Sequence, residues 1–215
     1  MAPDDIGITY MAEFFQNVPN GFLIDVGAHD GVAAGSMTRF LMEWGWTGIL
    51  IEPLPKAYAL LEKAYENTPN VVTLNVACSN EEGTATLYPC DGVTTMDKGW
   101  RDVCDAHWKH VNYGAPFQVP MRTLDSIMKE YPTPEKIDLL QIDTEGHDLQ
   151  ILKGMDWKKQ PSMVVAESLD MNNLDRKKSD GTPIPDPAMI EYMESVGYYC
   201  DKLTIGGNVF FLKRN

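Results

Sequence analysis

The chain has 215 residues, 44% of them hydrophobic, and a formal net charge of −13, which suits one good core and a single domain over residues 1–215. Nucleic-acid affinity comes mainly from Lys and Arg neutralising phosphates, so an acidic chain whose only basic cluster is Arg176 to Lys178 argues against nucleic acid as a partner. No apolar run approaches membrane-spanning length, the N-terminal MAPDDIGITYMAEFF is acidic where a leader would be basic, and four scattered cysteines without a CxxC pair suit reduced thiols; a cytoplasmic protein with no membrane partner is the expectation.

In chain order, FLIDVGAHDG comes first: an apolar strand that delivers Asp25 to its end, then a turn with small residues at Gly27, Ala28 and Gly31. A helix is expected from Ala33 to about Trp44, followed by the strand GILIEP ending in Glu52. That spacing, about twenty residues, is one strand, one turn and one helix of a nucleotide-binding βαβ unit. A pyrophosphate at the turn would be repelled by Asp25 and Asp30, with no Lys or Arg nearby, whereas S-adenosylmethionine brings a positive ammonium and sulfonium. The turn therefore favours a methyl donor over NAD, with Glu52 as acceptor for the ribose hydroxyls.

PLPKAYALLEKAYEN has helical spacing, and VVTLNVACS reads as the third strand, with Ala77 and Cys78 at its donor-facing end. GTATLYP reads as a hairpin strand. From Pro89 to Pro116 the periodicity is lost, and a loop insert near 89–116 carrying Trp100, His107, Trp108, His110 and Tyr113 is expected to cover the acceptor. Cys104, His107 and His110 drift around a helix surface at their spacing, so no zinc site is expected.

FQVPMR is a strand, TLDSIMKEY a helix capped by Thr123, IDLLQID a buried strand, GHDLQILKG a helix closed by Gly154, and PSMVVAES a buried strand ending at Glu167. A second loop insert near 170–187 leads to a helix opened by Asp186 and Pro187. YYCDKLT and GNVFFLK close the chain as an antiparallel hairpin across a Gly-Gly turn. Strands alternating with helices and ending in such a pair predict a mostly parallel sheet with one reversed strand at the edge.

DVGAHDG, ILIEP, IDLLQIDTEGHDLQILKG and the strand-end Glu167 occur together in that order, and in this the chain closely resembles the FkbM-type methyltransferases. Asp143, Glu145, Gly146, Leu152, Lys153 and Gly154 match the family's pattern of acid, variable residue, Glu-Gly, and a helix ending in Leu-Lys-Gly, over roughly residues 20 to 213. The resemblance implies an α/β fold, the Rossmann-like class I methyltransferase architecture with a seven-stranded sheet. It also implies S-adenosylmethionine as cofactor and, usually, transfer to a hydroxyl. Two positions depart from the pattern: Gln141 stands where many members carry Lys, and His147 where they carry a small residue. Losing that Lys makes the surroundings of Asp143 more negative, which favours a bound cation.

Ligands of open parallel sheets bind beyond the carboxyl ends of the strands, where this sequence places its acids. The expected donor-binding residues are Asp25, Gly27, Ala28, Gly31, Glu52, Ala77, Cys78 and Asp143. The expected catalytic residues are His147, the best base by type, with Asp143 and Glu145 orienting the acceptor, touching the donor or holding an ion. A divalent metal, Mg or Mn, is the second option behind a metal-free base, because no third ligand is set by local spacing. Glu167 has the further option of pairing with Lys153 or Arg122. The expected acceptor is a small hydroxylated molecule, a sugar or a natural-product scaffold. N-methylation of an amine or peptide, an NAD-dependent oxidoreductase and a non-catalytic binding module are the alternatives, and the pattern leaves the oligomeric state open.

Overall fold

FLIDV, TGILI and LLQI are apolar on both faces, which is how inner strands of a parallel sheet read, and they are buried at nearly every position. The computed structural model describes residues 5–32, 38–90, 92–107, 111–169, 178–179 and 181–214. The first elements are α1 (Asp5–Phe15), β1 (Phe22–Val26), α2 (Arg39–Glu43), β2 (Thr47–Ile51), α3 (Pro55–Tyr65) and β3 (Val71–Leu74). The middle of the chain forms β4 (Ala77–Cys78), β5 (Gly83–Leu87), α4 (Lys98–His107), β6 (Phe117–Arg122) and α5 (Leu124–Glu130). The chain continues with β7 (Leu139–Ile142), α6 (Asp148–Lys153), β8 (Met163–Glu167), α7 (Pro187–Ser195), β9 (Tyr198–Leu203) and β10 (Asn208–Lys213).

The main sheet has seven strands in the order β3-β2-β1-β7-β8-β10-β9. All neighbours from β3 to β8 run parallel, and β10 is antiparallel to both β8 and β9. The reversed strand thus lies one in from the edge, within the expected edge hairpin. Successive side chains on a strand face opposite ways, so Leu23 packs with α1, α2 and α3 through Met11, Leu41 and Leu61, while Ile24 packs with α5, α6 and α7 through Ile127, Ile151 and Met189. The result is a three-layer sandwich. Strand order reverses between β1 and β7, and the crevice beyond their carboxyl ends is where such folds take ligands.

Several caps are as expected. Thr123 Oγ1 accepts from Ser126 N at 3.2 Å, and Asp186 Oδ1 accepts from Ala188 N at 2.9 Å. Other boundaries differ. The expected helix from Ala33 is described only as α2, since residues 33–37 lie outside the described residues. VVTLNVACS is two strands, because after β3 the chain leaves the main sheet and β4 joins a second, three-stranded sheet in the order β4-β6-β5. Asn75 makes the break: its side-chain amide donates to the backbone oxygens of Glu52 and Pro53 at 2.8 and 3.1 Å.

The segment 89–116 is not the irregular stretch expected. It contains α4, which buries Trp100 and Cys104 one turn apart and is opened by Asp97, whose carboxylate accepts from Trp100 N at 2.8 Å. Trp108 and His110, and half of the expected insert at 170–187, lie outside the described residues, as does the side chain of His107. No helix among the described residues is long and apolar enough to cross a membrane.

Candidate active site

The start of the turn after β1 is held to the neighbouring strands by backbone bonds. Gly27 N and Ala28 N donate to Ile51 O at 2.9 and 3.0 Å, and Asp143 N donates to Val26 O at 2.9 Å. At Gly27, φ is +87° and an added Cβ would sit 1.9 Å from Asp143 O. A side chain at this position would therefore collide with the end of β7. Glu52 folds under the same turn, its Oε2 accepting from His29 N at 2.9 Å and its Oε1 from Leu54 N at 2.7 Å. Each of those oxygens keeps a lone pair for a ligand.

These residues border a cavity of about 360 Å³, within the usual range for small-molecule sites. Asp25, Gly27, Ala28, Glu52, Ala77, Cys78, Asp143 and Glu145 all line it, as do Gln141 and Asn208. Gly31 does not: its carbonyl accepts from Tyr65 OH at 3.0 Å, and a Cβ there would strike Leu61 and Tyr65, so its smallness serves the packing of α3. His147 does not line the cavity either. Its Nε2 lies 2.9 Å from Ser79 Oγ, and burial lowers its pKa, with Asp97 opposing.

Glu145 occupies a left-handed turn, φ +55°, with Gly146 after it at +94°. Such backbone in a non-glycine residue costs about 1–2 kcal/mol and is held by its surroundings. Here Trp100 Nε1 donates to Glu145 Oε2 at 3.0 Å, Thr95 Oγ1 donates to its carbonyl at 2.7 Å, and the Trp100 ring fills the space a Cβ on Gly146 would need. Asp148, buried, ties the turn to the neighbouring strand: one oxygen accepts from Thr144 N and Oγ1 at 3.2 and 2.7 Å, the other from Glu167 N at 3.0 Å. Arg122 pairs with Glu130 and Glu82, away from Glu167. Asp148 and Thr95 brace this turn and were missed by pattern reading, while Trp100, expected as part of an acceptor cover, packs against Glu145 and Gly146. The signal for Asp148 was its place at the first turn of a helix, where acids accept backbone N–H bonds.

The site's electrostatics are one-signed. Burial pushes the Asp25 carboxyl up to about 7, with the Thr38 hydroxyl opposing and Asp143 and Glu52 adding to the rise. Burial and then Asp143 push Glu145 up to about 8, and burial raises Glu52 and Glu167 too. Among the described residues no Lys or Arg lines the cavity. Buried carboxylates facing one another favour a cationic ligand over a phosphate.

Residues 25–200 match the family model of the methyltransferase FkbM domain. The chain belongs to the FkbM methyltransferase family. It is 28% identical over 177 residues to Methyltransferase sdnD of Sordaria araneosa, covering 69% of this chain and 67% of that protein. Among solved structures it is similar to Methyltransferase FkbM from Methylobacillus flagellatus KT, with a TM-score of 0.50 and 12% identity over 90% of this chain. The chain spans 44% of that protein's length. A weaker likeness, TM-score 0.48 at 10% identity, covering 100% of this chain and 85% of the other, is to a putative RNA methyltransferase, PH1948, from Pyrococcus horikoshii.

S-adenosylmethionine is the methyl donor expected from the acidic turn and the family resemblance, and the cavity suits it: a bare Gly27–Ala28 backbone, the Glu52 carboxylate for ribose hydroxyls, and acids for the positive end. Donor binding should therefore expel a proton. Free Asp25 keeps its proton up to about pH 7, while a cation beside it favours the carboxylate. Affinity for the donor rises from about pH 5.5 to about 7.5 and then levels, because the raised pKa of the free protein is what the ligand must overcome. Calorimetry in buffers of different ionisation enthalpy reads the proton directly. An affinity flat over that window, or a slope unchanged in Asp25→Asn, would remove Asp25 from the donor site.

Proposed function

We propose that this chain methylates a hydroxyl of a small hydroxylated acceptor, a sugar or a natural-product scaffold, in the cytoplasm. The observation that carries this reading is Glu145, a carboxylate held at a left-handed turn under Trp100, lining the donor cavity next to Asp143. When bound, the donor supplies a methyl group already activated on a sulfonium, so what the protein must add is alignment and removal of the acceptor proton. Asp25 and Glu52 hold the donor. Glu145 takes the acceptor proton, since the His147 imidazole is turned to Ser79. Residues Gly92, Thr94 and Met96, from the segment that leads into α4, line the same cavity and shape the acceptor end.

The small-molecule reading rests on the acidic lining and the net charge of −13, both unfavourable to a polyanion. Free cysteines, Cys78 and Cys104 among them buried, suit a reducing compartment. The test is transfer of radiolabel from S-adenosylmethionine to panels of polyhydroxylated small molecules, amines, peptides and RNA, with the product located by mass spectrometry. The expected product is a methyl ether. A methylamine or methylated RNA as sole product would replace this reading, and no transfer to any panel with donor bound would favour a binding module.

A further inference from the structure

Asp143, Glu145 and Glu167 each bring a carboxylate oxygen to a common point, all within 4.8 Å of one another. They come from the carboxyl ends of the adjacent strands β7 and β8 and the turn between β7 and α6, and so were invisible to local spacing. Asp148 is not one of them, because both its oxygens are taken by Thr144 and Glu167 N–H and O–H donors.

Two neutral side chains point to what the cluster holds. Asn208 stands opposite Glu167 in the β8–β10 ladder, is 8% exposed, and its Oδ1 has no donor among the described residues. Gln141 shares a face of β7 with Asp143, is 4% exposed, and its Oε1 likewise has no donor. Both line the cavity together with Asp143 and Glu145. Glu167 Oε2 is a third buried oxygen in the same condition. Each such oxygen keeps the cost of its lost hydration if nothing approaches it, and the carboxylates repel one another. A small cation removes both penalties at once.

We propose that Asp143, Glu145 and Glu167 form a site for a hard divalent cation, Mg²⁺ or Mn²⁺, with Asn208 and Gln141 supplying further oxygens to the ion or its waters. The donor set is oxygen alone, which selects hard cations over zinc. A cation that holds oxygens at about 2.1–2.4 Å sets them about 3 to 5 Å apart, the spacing of this cluster. Its use, which rests on the hydroxyl-acceptor reading, is to bind the acceptor oxygen and lower its pKa, so that the proton passes to a cavity carboxylate or to water as the C–O bond forms and the C–S bond breaks.

The test needs no acceptor, so its outcome is independent of that reading. Chelator-treated protein is titrated with Mn²⁺, and free ion is followed by electron paramagnetic resonance, with and without S-adenosylhomocysteine. The expected result is one Mn²⁺ per chain, displaced by Mg²⁺, with Glu167→Gln and Asn208→Ala each weakening Mn²⁺ by about 10-fold or more. Thermal melts of those variants should stay at the wild-type midpoint in the absence of Mn²⁺, which shows that they are folded. Mn²⁺ binding that is absent, unchanged in both variants, or abolished by S-adenosylhomocysteine would overturn the proposal, the last because the donor product itself would then be the occupant.

Discussion

Gly27→Ala should abolish donor binding. The new Cβ would lie 1.9 Å from a backbone oxygen and 2.9 Å from the carbonyl carbon of Asp143, atoms fixed by the Asp143 N to Val26 O bond, so no side chain can swing aside. The φ of +87° adds about 1–2 kcal/mol of its own. Relief requires parting β1 from β7, the seam on which the cavity sits. We expect affinity for S-adenosylhomocysteine to fall by about 100-fold or more and stability by about 3 kcal/mol or more. Gly45→Ala is the matched control: φ is +82° but no atom lies within 4 Å, so only the backbone cost of about 1–2 kcal/mol remains. Calorimetry and thermal melts on both variants separate clash from strain. A Gly27→Ala protein that binds and melts like the wild type would show that the turn is not where the donor lies.

Glu145→Gln should lower turnover by about 10² to 10⁴, the range for losing a positioned proton acceptor. The amide keeps the shape and can still accept from Trp100 Nε1, so the turn and α4 should stay in place. Donor affinity should change little. His147→Ala, by contrast, removes a ring that bonds Ser79 outside the cavity and should cost less than about 10-fold. Initial rates for the two variants, taken with saturating donor, decide between them. If His147→Ala loses as much as Glu145→Gln, the imidazole is the base and its bond to Ser79 is broken during turnover.

The sheet was legible because strands buried on both faces leave continuous apolar runs. IDLLQID and PSMVVAES are such runs, and they form β7 and β8 with the acids at their carboxyl ends. That Asp25, Gly27 and Glu52 border one cavity was legible for a different reason: they belong to one local βαβ unit, whose spacing sequence records directly. What escaped was whatever depends on distant segments meeting. Val76 to Ser79 looks like a continuation of a strand until Asn75 bonds back to Glu52 and turns the chain toward β6. Helix α4 has its buried residues one turn apart, but Gly99 in its first turn weakens the pattern. Residue type nominated His147 as base, yet the direction of its ring is set by Ser79, far away in the chain. Glu167 and Asn208 meet only through the β8–β10 register, so the third acid of the cluster was known as a strand end and not as a neighbour of Glu145.

The α4 segment hangs from a closed neck. Leu87 pairs with Phe117 in the β5–β6 ladder, and Gly114 N donates to Pro89 O at 2.8 Å, so everything between leaves and returns at one place on the small sheet. Doubling the length of a loop tied at such a neck costs only about 0.6 kcal/mol, because its ends are already paid for by the ladder. If this segment shapes the acceptor end, as proposed above, it is an exchangeable cartridge on a fixed chassis. Insertions, deletions and rewritten sequence can accumulate there under selection for new chemistry while Gly27, Glu52 and the seven-stranded sheet are left untouched.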